Sequence, residues 1–113
     1  MNRAIVREIG QVARVKCPCG YSSRVFTASD TGVLSLHRTE FVDAKLHYHS
    51  RTTEVYYILE GKGNMVLDGR SEPIRPGLSI MIPPGVRHRI EGSATAIVCA
   101  VPAYDPQDEF FPD

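Results

Sequence analysis

Two histidines separated by one residue, His47-Tyr48-His49, are the first residues here whose types and spacing could do chemistry. On an extended strand, residues i and i+2 face the same side about 6.6 Å apart, so both imidazoles can converge on one metal ion. Glu54 follows five residues after His49 and opens the run Glu54-Val55-Tyr56-Tyr57-Ile58-Leu59. Alternation puts Glu54 on the side of Tyr56 and Ile58, so its carboxylate points toward an apolar interior. A buried carboxylate is costly without a partner. A cation is one compensation, and an ion pair with Lys45 or Arg51 at the rim is the other. His88 shares a face with Val86 and Ile90, while Arg87 and Arg89 take the opposite one. Taken singly, each of these residues also fits an ordinary strand or core role.

Their joint spacing is more specific. His47-x-His49-x4-Glu54-x6-Gly61 is followed, after fifteen residues, by Gly77-x5-Pro83-x-Gly85-x2-His88. This resembles the two motifs of the cupin superfamily, G-x5-H-x-H-x3,4-E-x6-G and G-x5-P-x-G-x2-H-x3-N. Eight of the ten fixed positions match; Phe41 stands where the first glycine is expected and Gly92 where the final asparagine is expected. The resemblance implies an all-β fold, an antiparallel double-stranded β-helix or jelly-roll barrel. It also implies one divalent transition metal per chain, held by His47, His49, Glu54 and His88. Three imidazoles and a carboxylate suit Fe, Mn, Ni, Co, Cu or Zn. Four ligands would close a tetrahedral zinc site, whereas an octahedral ion would keep two positions for substrate, water or dioxygen.

Tyr56 shares Glu54's face and is the candidate for positioning a substrate. Met65, Leu67, Ile80 and Ile82 are read as an apolar wall of the pocket or as plain barrel core. Tyr48 and Tyr57 should point outward. His37 sits on a separate strand, outside the motifs, and is read as structural. Cys17-Pro18-Cys19-Gly20 has C-x-C rather than C-x2-C spacing and no second pair, and Cys99 lies far along the chain. The three thiols are therefore expected to be reduced, with no assigned role. There is no Gly-rich phosphate loop and no G-x-S-x-G elbow, which leaves P-loop phosphoryl transfer and serine hydrolysis unsupported.

The elements that must position these groups read as short strands between turns. The runs are Arg24–Ala28, Gly32–Arg38, Val42–His49, Glu54–Leu59, Asn64–Leu67, Leu78–Ile82, Val86–Ile90 and Ala94–Val101. Gly61-Lys62-Gly63 is read as a strand stop and Asp68-Gly69 as a two-residue hairpin turn. Turn signals every 8–12 residues or so point to an antiparallel sandwich or barrel.

With 113 residues the chain is expected to be one domain: an arm over 1–23, a barrel core over 24–101 and an acidic, aromatic tail over 102–113. Thirteen basic and thirteen acidic residues cancel, but not uniformly. Residues 1–16 carry +3 and residues 104–113 carry −4, which allows a salt-weakened contact between the two ends. The balanced total lacks the basic excess of nucleic-acid binding, so no nucleic-acid partner is expected. No apolar run is long enough to span a bilayer, and the charged N-terminus lacks a signal-peptide core. A cytoplasmic location and a homodimer paired through barrel edges, with residues 1–16 or 104–113 contributing, are expected.

Three functions fit. The favoured one is a metal-dependent dioxygenase or other oxidoreductase acting on a small organic molecule. The second is a metal-dependent isomerase or lyase, because Glu54–Gly61 and Ile82-Pro83-Pro84-Gly85 are similar to segments of small sugar-phosphate-isomerase-like cupins. The third is a non-catalytic module that binds a small ligand.

Overall fold

A computed structural model describes residues 3–112. Met1 and Asn2 of the expected arm and Asp113 of the expected tail lie outside the described residues. Seven strands form: β1 (Arg14–Cys17), β2 (Gly20–Phe26), β3 (Ser35–Val42), β4 (Thr53–Leu67), β5 (Arg70–Pro73), β6 (Ser79–Ile82) and β7 (His88–Val101). All pairings are antiparallel, in the order β1-β2-β3-β7-β4-β5, and β6 joins β4 on a second edge. This is the jelly-roll pairing of a double-stranded β-helix. No helix among the described residues is long and apolar enough to cross a membrane.

The side-chain alternation expected of the Glu54 run holds. Glu54, Tyr56 and Ile58 are buried, and Val55, Tyr57 and Leu59 are exposed. Ile58, Met65, Ile82 and Ile90 fill the interior with almost no exposure, each worth about 1.5–3 kcal/mol of burial. Asp68 and Gly69, with φ of 48° and 82°, make the expected two-residue turn that joins β4 to β5.

Several boundaries differ from the sequence reading. Residues 1–23 are not simply an arm: they contain β1 and the start of β2. Gly61-Lys62-Gly63 does not stop a strand. β4 runs through it and pairs with β7 from Thr53–Val101 to Leu67–His88. Gly61 and Gly63, with φ of 132° and 131°, let the two long strands cross closely, and a Cβ at Gly63 would sit inside the Glu91 carbonyl. β3 ends at Val42, so the His47–His49 pair is not on a regular strand. It lies in an irregular segment held by two isolated bridges, His47 to His88 and Tyr48 to Phe110.

Within the chain, the described residues of arm and tail form ion pairs with other segments and not with each other. In the arm, Arg7 meets Asp30 and Arg14 meets Glu40, both at 2.8 Å. In the tail, Asp105 meets Arg51 at 3.1 Å. The expectation of three reduced thiols is also corrected: Cys17 and Cys19 form a disulfide and Cys99 is free. The cause is local. Cys17 pairs with Gly20 to close the β1–β2 turn, which brings the two cysteine Cα atoms to 5.2 Å, within bonding range.

Candidate metal centre

The fold gathers His47, His49, Glu54 and His88 from three places. Glu54 is near the head of β4 and His88 opens β7, while the irregular segment after β3 carries the two other histidines. His47 is laid against His88 by two backbone hydrogen bonds, His47 N–H to the His88 carbonyl at 3.0 Å and the reverse at 2.9 Å. All four side chains are buried, and one nitrogen or oxygen from each lies within 4.8 Å of the others.

Each ring is oriented by its far nitrogen. Nδ1 of His47 donates to the Lys45 carbonyl at 2.9 Å, Nδ1 of His49 to the Asp108 carbonyl at 2.8 Å, and Nδ1 of His88 to the Val86 carbonyl at 2.9 Å. A carbonyl only accepts, so each Nδ1 carries the proton, and each neutral ring turns an Nε2 lone pair inward. Glu54 Oε1 lies 3.2 Å from His49 Nε2 and 3.1 Å from His88 Nε2. Acceptors therefore face acceptors in a dry pocket, an arrangement that requires a cation, either a proton on a ring or a metal ion.

The donor set passes a direct test of fit for a metal. His49 Nε2 is fully buried and has no hydrogen-bond partner, although it stands beside Glu54. The rim ion pair of Glu54 with Lys45 or Arg51 does not form among the described residues; its near partners are the two imidazoles. Burial alone would raise the Glu54 carboxyl, but the adjoining His49 and His88 imidazoles outweigh it and hold the group well below the usual carboxylate range. Burial pushes the His47 imidazole down to about 4, with His88 adding to the effect. Neutral His47 and ionised Glu54 are in the protonation states of metal ligands, whereas at His49 burial lowers the ring but Glu54 outweighs it and raises it, making this the ring on which a proton stands in for the ion.

Beside this cluster lies a cleft of about 560 Å³, counted out to its open mouth. Tyr56 lines it as expected, stacked on Phe41 with ring centroids 5.3 Å apart. Phe41, which departs from the motif glycine, thus packs on Tyr56 in the cleft wall. Of the residues read as pocket wall or barrel core, Met65 and Ile82 are core, and Leu67 and Ile80 pack against it. The cleft has an aromatic side, Phe41, Tyr56 and Phe111, and a polar side that includes Arg24, His37, Lys45, Tyr104 and Glu109, with the Cys17–Cys19 pair at its edge. His37, read as structural, therefore faces the cleft. Its ring stands edge-on to Tyr104, centroids 5.8 Å apart.

Tyr104 and Glu109 were missed because they sit in the acidic, aromatic tail, to which no site residue was assigned. The tail folds back as a wall of the cleft. Phe110 pairs with Tyr48 through two backbone hydrogen bonds of 3.0 Å, and Phe111 packs 6.0 Å from the His47 ring. The one signal available was aromatic content, Tyr104, Phe110 and Phe111, in a segment otherwise rich in acids.

A small antiparallel β-helix with three histidines and one glutamate converging inside it defines a class, and the chain belongs to that class, the cupin-domain family, whose pattern matches residues 40–102. A crystal structure of a protein from Planctomyces limnophilus superposes with a TM-score of 0.92 at 36% identity, covering 97% of this chain and 98% of that one. An uncharacterized protein of Methanocaldococcus jannaschii is 39% identical over 67 residues, 56% of this chain and 54% of that protein. Glucose-6-phosphate isomerase of Thermococcus gammatolerans is 42% identical over 57 residues, 44% of this chain and 30% of that enzyme. The matched region thus spans about half of the first curated relative and under a third of the second.

Proposed function

We propose that this chain is a metal-dependent isomerase or lyase acting on a small, oxygen-rich organic molecule. His47, His49, Glu54 and His88 are its metal ligands. The observation that carries the reading is the convergence of three Nδ1-anchored imidazoles on one buried carboxylate. A divalent ion bound there supplies Lewis acidity toward a carbonyl or hydroxyl oxygen. Fe, Mn, Co, Ni, Cu and Zn all suit the donor set.

The remaining work falls to side chains of this protein. Burial raises the Tyr56 phenol well above its ordinary value, so it stays protonated and donates from the cleft wall to a substrate oxygen. Arg24 and Lys45 bring positive charge to the same cleft, suited to a phosphate or carboxylate on the substrate. The folded-back tail closes one side and limits water.

The two cations Arg24 and Lys45 in this cleft suit an anionic, oxygen-rich substrate, which supports an isomerase or lyase over the dioxygenase favoured from sequence. The glucose-6-phosphate isomerase likeness points the same way, within its 57 matched residues. Anaerobic turnover tests the choice. Metal-loaded protein should interconvert sugar phosphates without dioxygen, as followed by NMR. Oxygen uptake with phenols or thiols and no anaerobic turnover would restore the dioxygenase, and unchanged bound ligand under both conditions would mark a binding module.

The homodimer belongs to this reading. Val55, Tyr57 and Met81 are exposed on the outer face of β4 and β6, with Val55 directly opposite Met81. They offer an apolar pairing surface. Sedimentation of Met81→Lys beside wild type tests it, with dissociation to monomer expected.

A further inference from the structure

Glu109 is the second carboxylate lining the cleft, and the metal cluster does not use it. Its Oε1 accepts the Tyr104 O–H at 3.0 Å, while its Oε2 stands 3.9 Å from His47 Nε2. Among the described residues no arginine or lysine pairs with it. Nor is it needed to hold the tail down, since the residues on either side do that. Asp108 is clamped to the 50–52 turn by Ser50, Arg51 and Thr52, and Phe110 is paired to Tyr48. Tyr104 is itself fixed, its N–H donating to Ser35 Oγ at 2.9 Å. The result is a carboxylate held rigidly at the edge of the metal cluster, with one oxygen satisfied and the other turned to the cleft.

We propose that Glu109 is the acid–base residue of the site, positioned by Tyr104, for substrates that carry a hydroxyl next to a carbonyl. This rests on the isomerase or lyase reading. The C–H bond on the hydroxyl-bearing carbon breaks, its proton goes to Glu109 Oε2, and the electron pair is shared into the neighbouring carbonyl. Glu109 then returns a proton to the former carbonyl carbon, while the hydroxyl proton passes to the other oxygen. Atoms and electrons balance with no oxidant, reductant or second substrate. Glu54 is committed to the metal cluster, its Oε1 lying between His49 and His88. Removal of a positioned general base costs roughly 10²–10⁴-fold in rate.

The test uses full-length protein loaded with Mn(II) in D2O, with dihydroxyacetone as probe and loss of its α-proton signal as readout. Wild type should exchange these protons. Glu109→Gln should lose at least about 100-fold while binding the same equivalent of Mn(II), and Glu109→Asp should recover part of the loss. Tyr104→Phe should lower turnover by about tenfold with KM unchanged. Exchange that survives Glu109→Gln overturns the proposal, and so does loss of Mn(II) in that variant, which would make Glu109 a ligand. Wild type that binds Mn(II) without any exchange contradicts the isomerase reading itself and the proposal with it.

Discussion

His49 and Asp108 are 59 positions apart in the chain, and the His49 Nδ1–H donates to the Asp108 backbone carbonyl at 2.8 Å. The C-terminal segment therefore orients one of the inward-facing imidazoles directly. The Asp108 carboxylate, only 2% exposed, secures the same segment by accepting from Ser50 N–H, Ser50 Oγ, Arg51 N–H and Thr52 Oγ1. One residue thus ties the tail to the metal cluster by its backbone and to the adjoining turn by its side chain.

Asp108→Ala should cost roughly 2–4 kcal/mol, since it leaves buried donors unsatisfied. It should also weaken metal binding by about tenfold through the loosened His49 ring. Urea melts and metal titrations check both effects. The pH dependence has a definite sign. Burial alone would raise the Asp108 carboxyl, but the Ser50, Arg51 and Thr52 hydrogen bonds prevail and hold it at about 2. Its stabilisation is therefore complete above pH 4 or so and is lost as the pH falls toward 2. Asp108→Asn should flatten that part of the stability profile.

His37 should titrate far below an ordinary histidine. Burial lowers it to about 4, and the Arg24 charge acts in the same direction. An unfolded histidine takes its proton near 6.5, so the folded state loses relative stability as pH falls from about 6.5 to 4 and not beyond. An NMR titration should show the His37 midpoint near 4. His37→Gln should remove part of the stability loss within that window.

The Cys17–Cys19 bond gives a clean count. Denatured, unreduced protein treated with iodoacetamide should gain one label, on Cys99, and three after reduction. Three labels without reduction would show that the pair is open.

The sequence reading reached the metal quartet because its spacing is local and repeated in two motifs, and because period-2 alternation correctly buried Glu54 and Tyr56. Asp68-Gly69 was equally legible, as a turn whose two positive φ angles are written in its residue types. What escaped was non-local. Asp105, Asp108 and Glu109 look like solvated charges until the chain's return path places them against residues 49–52 and the cleft. Gly61 and Gly63 read as breakers because propensity does not see the opposite strand. Here the missing side chains let β4 and β7 approach, and Gly61 would carry its Cβ into Ala94. His37 and the cysteine pair reach the cleft only through the placement of β1 to β3 on one face, which no window of sequence contains.

Metal analysis by mass spectrometry reads directly whether His47, His49, Glu54 and His88 bind a metal. Wild type, His47→Ala and His88→Ala would be equilibrated with a divalent transition metal, freed of excess and measured beside one another. About one ion per wild-type chain is expected, and at least tenfold less in each folded variant. Wild type without metal after reconstitution, or variants with the same stoichiometry, would contradict that expectation.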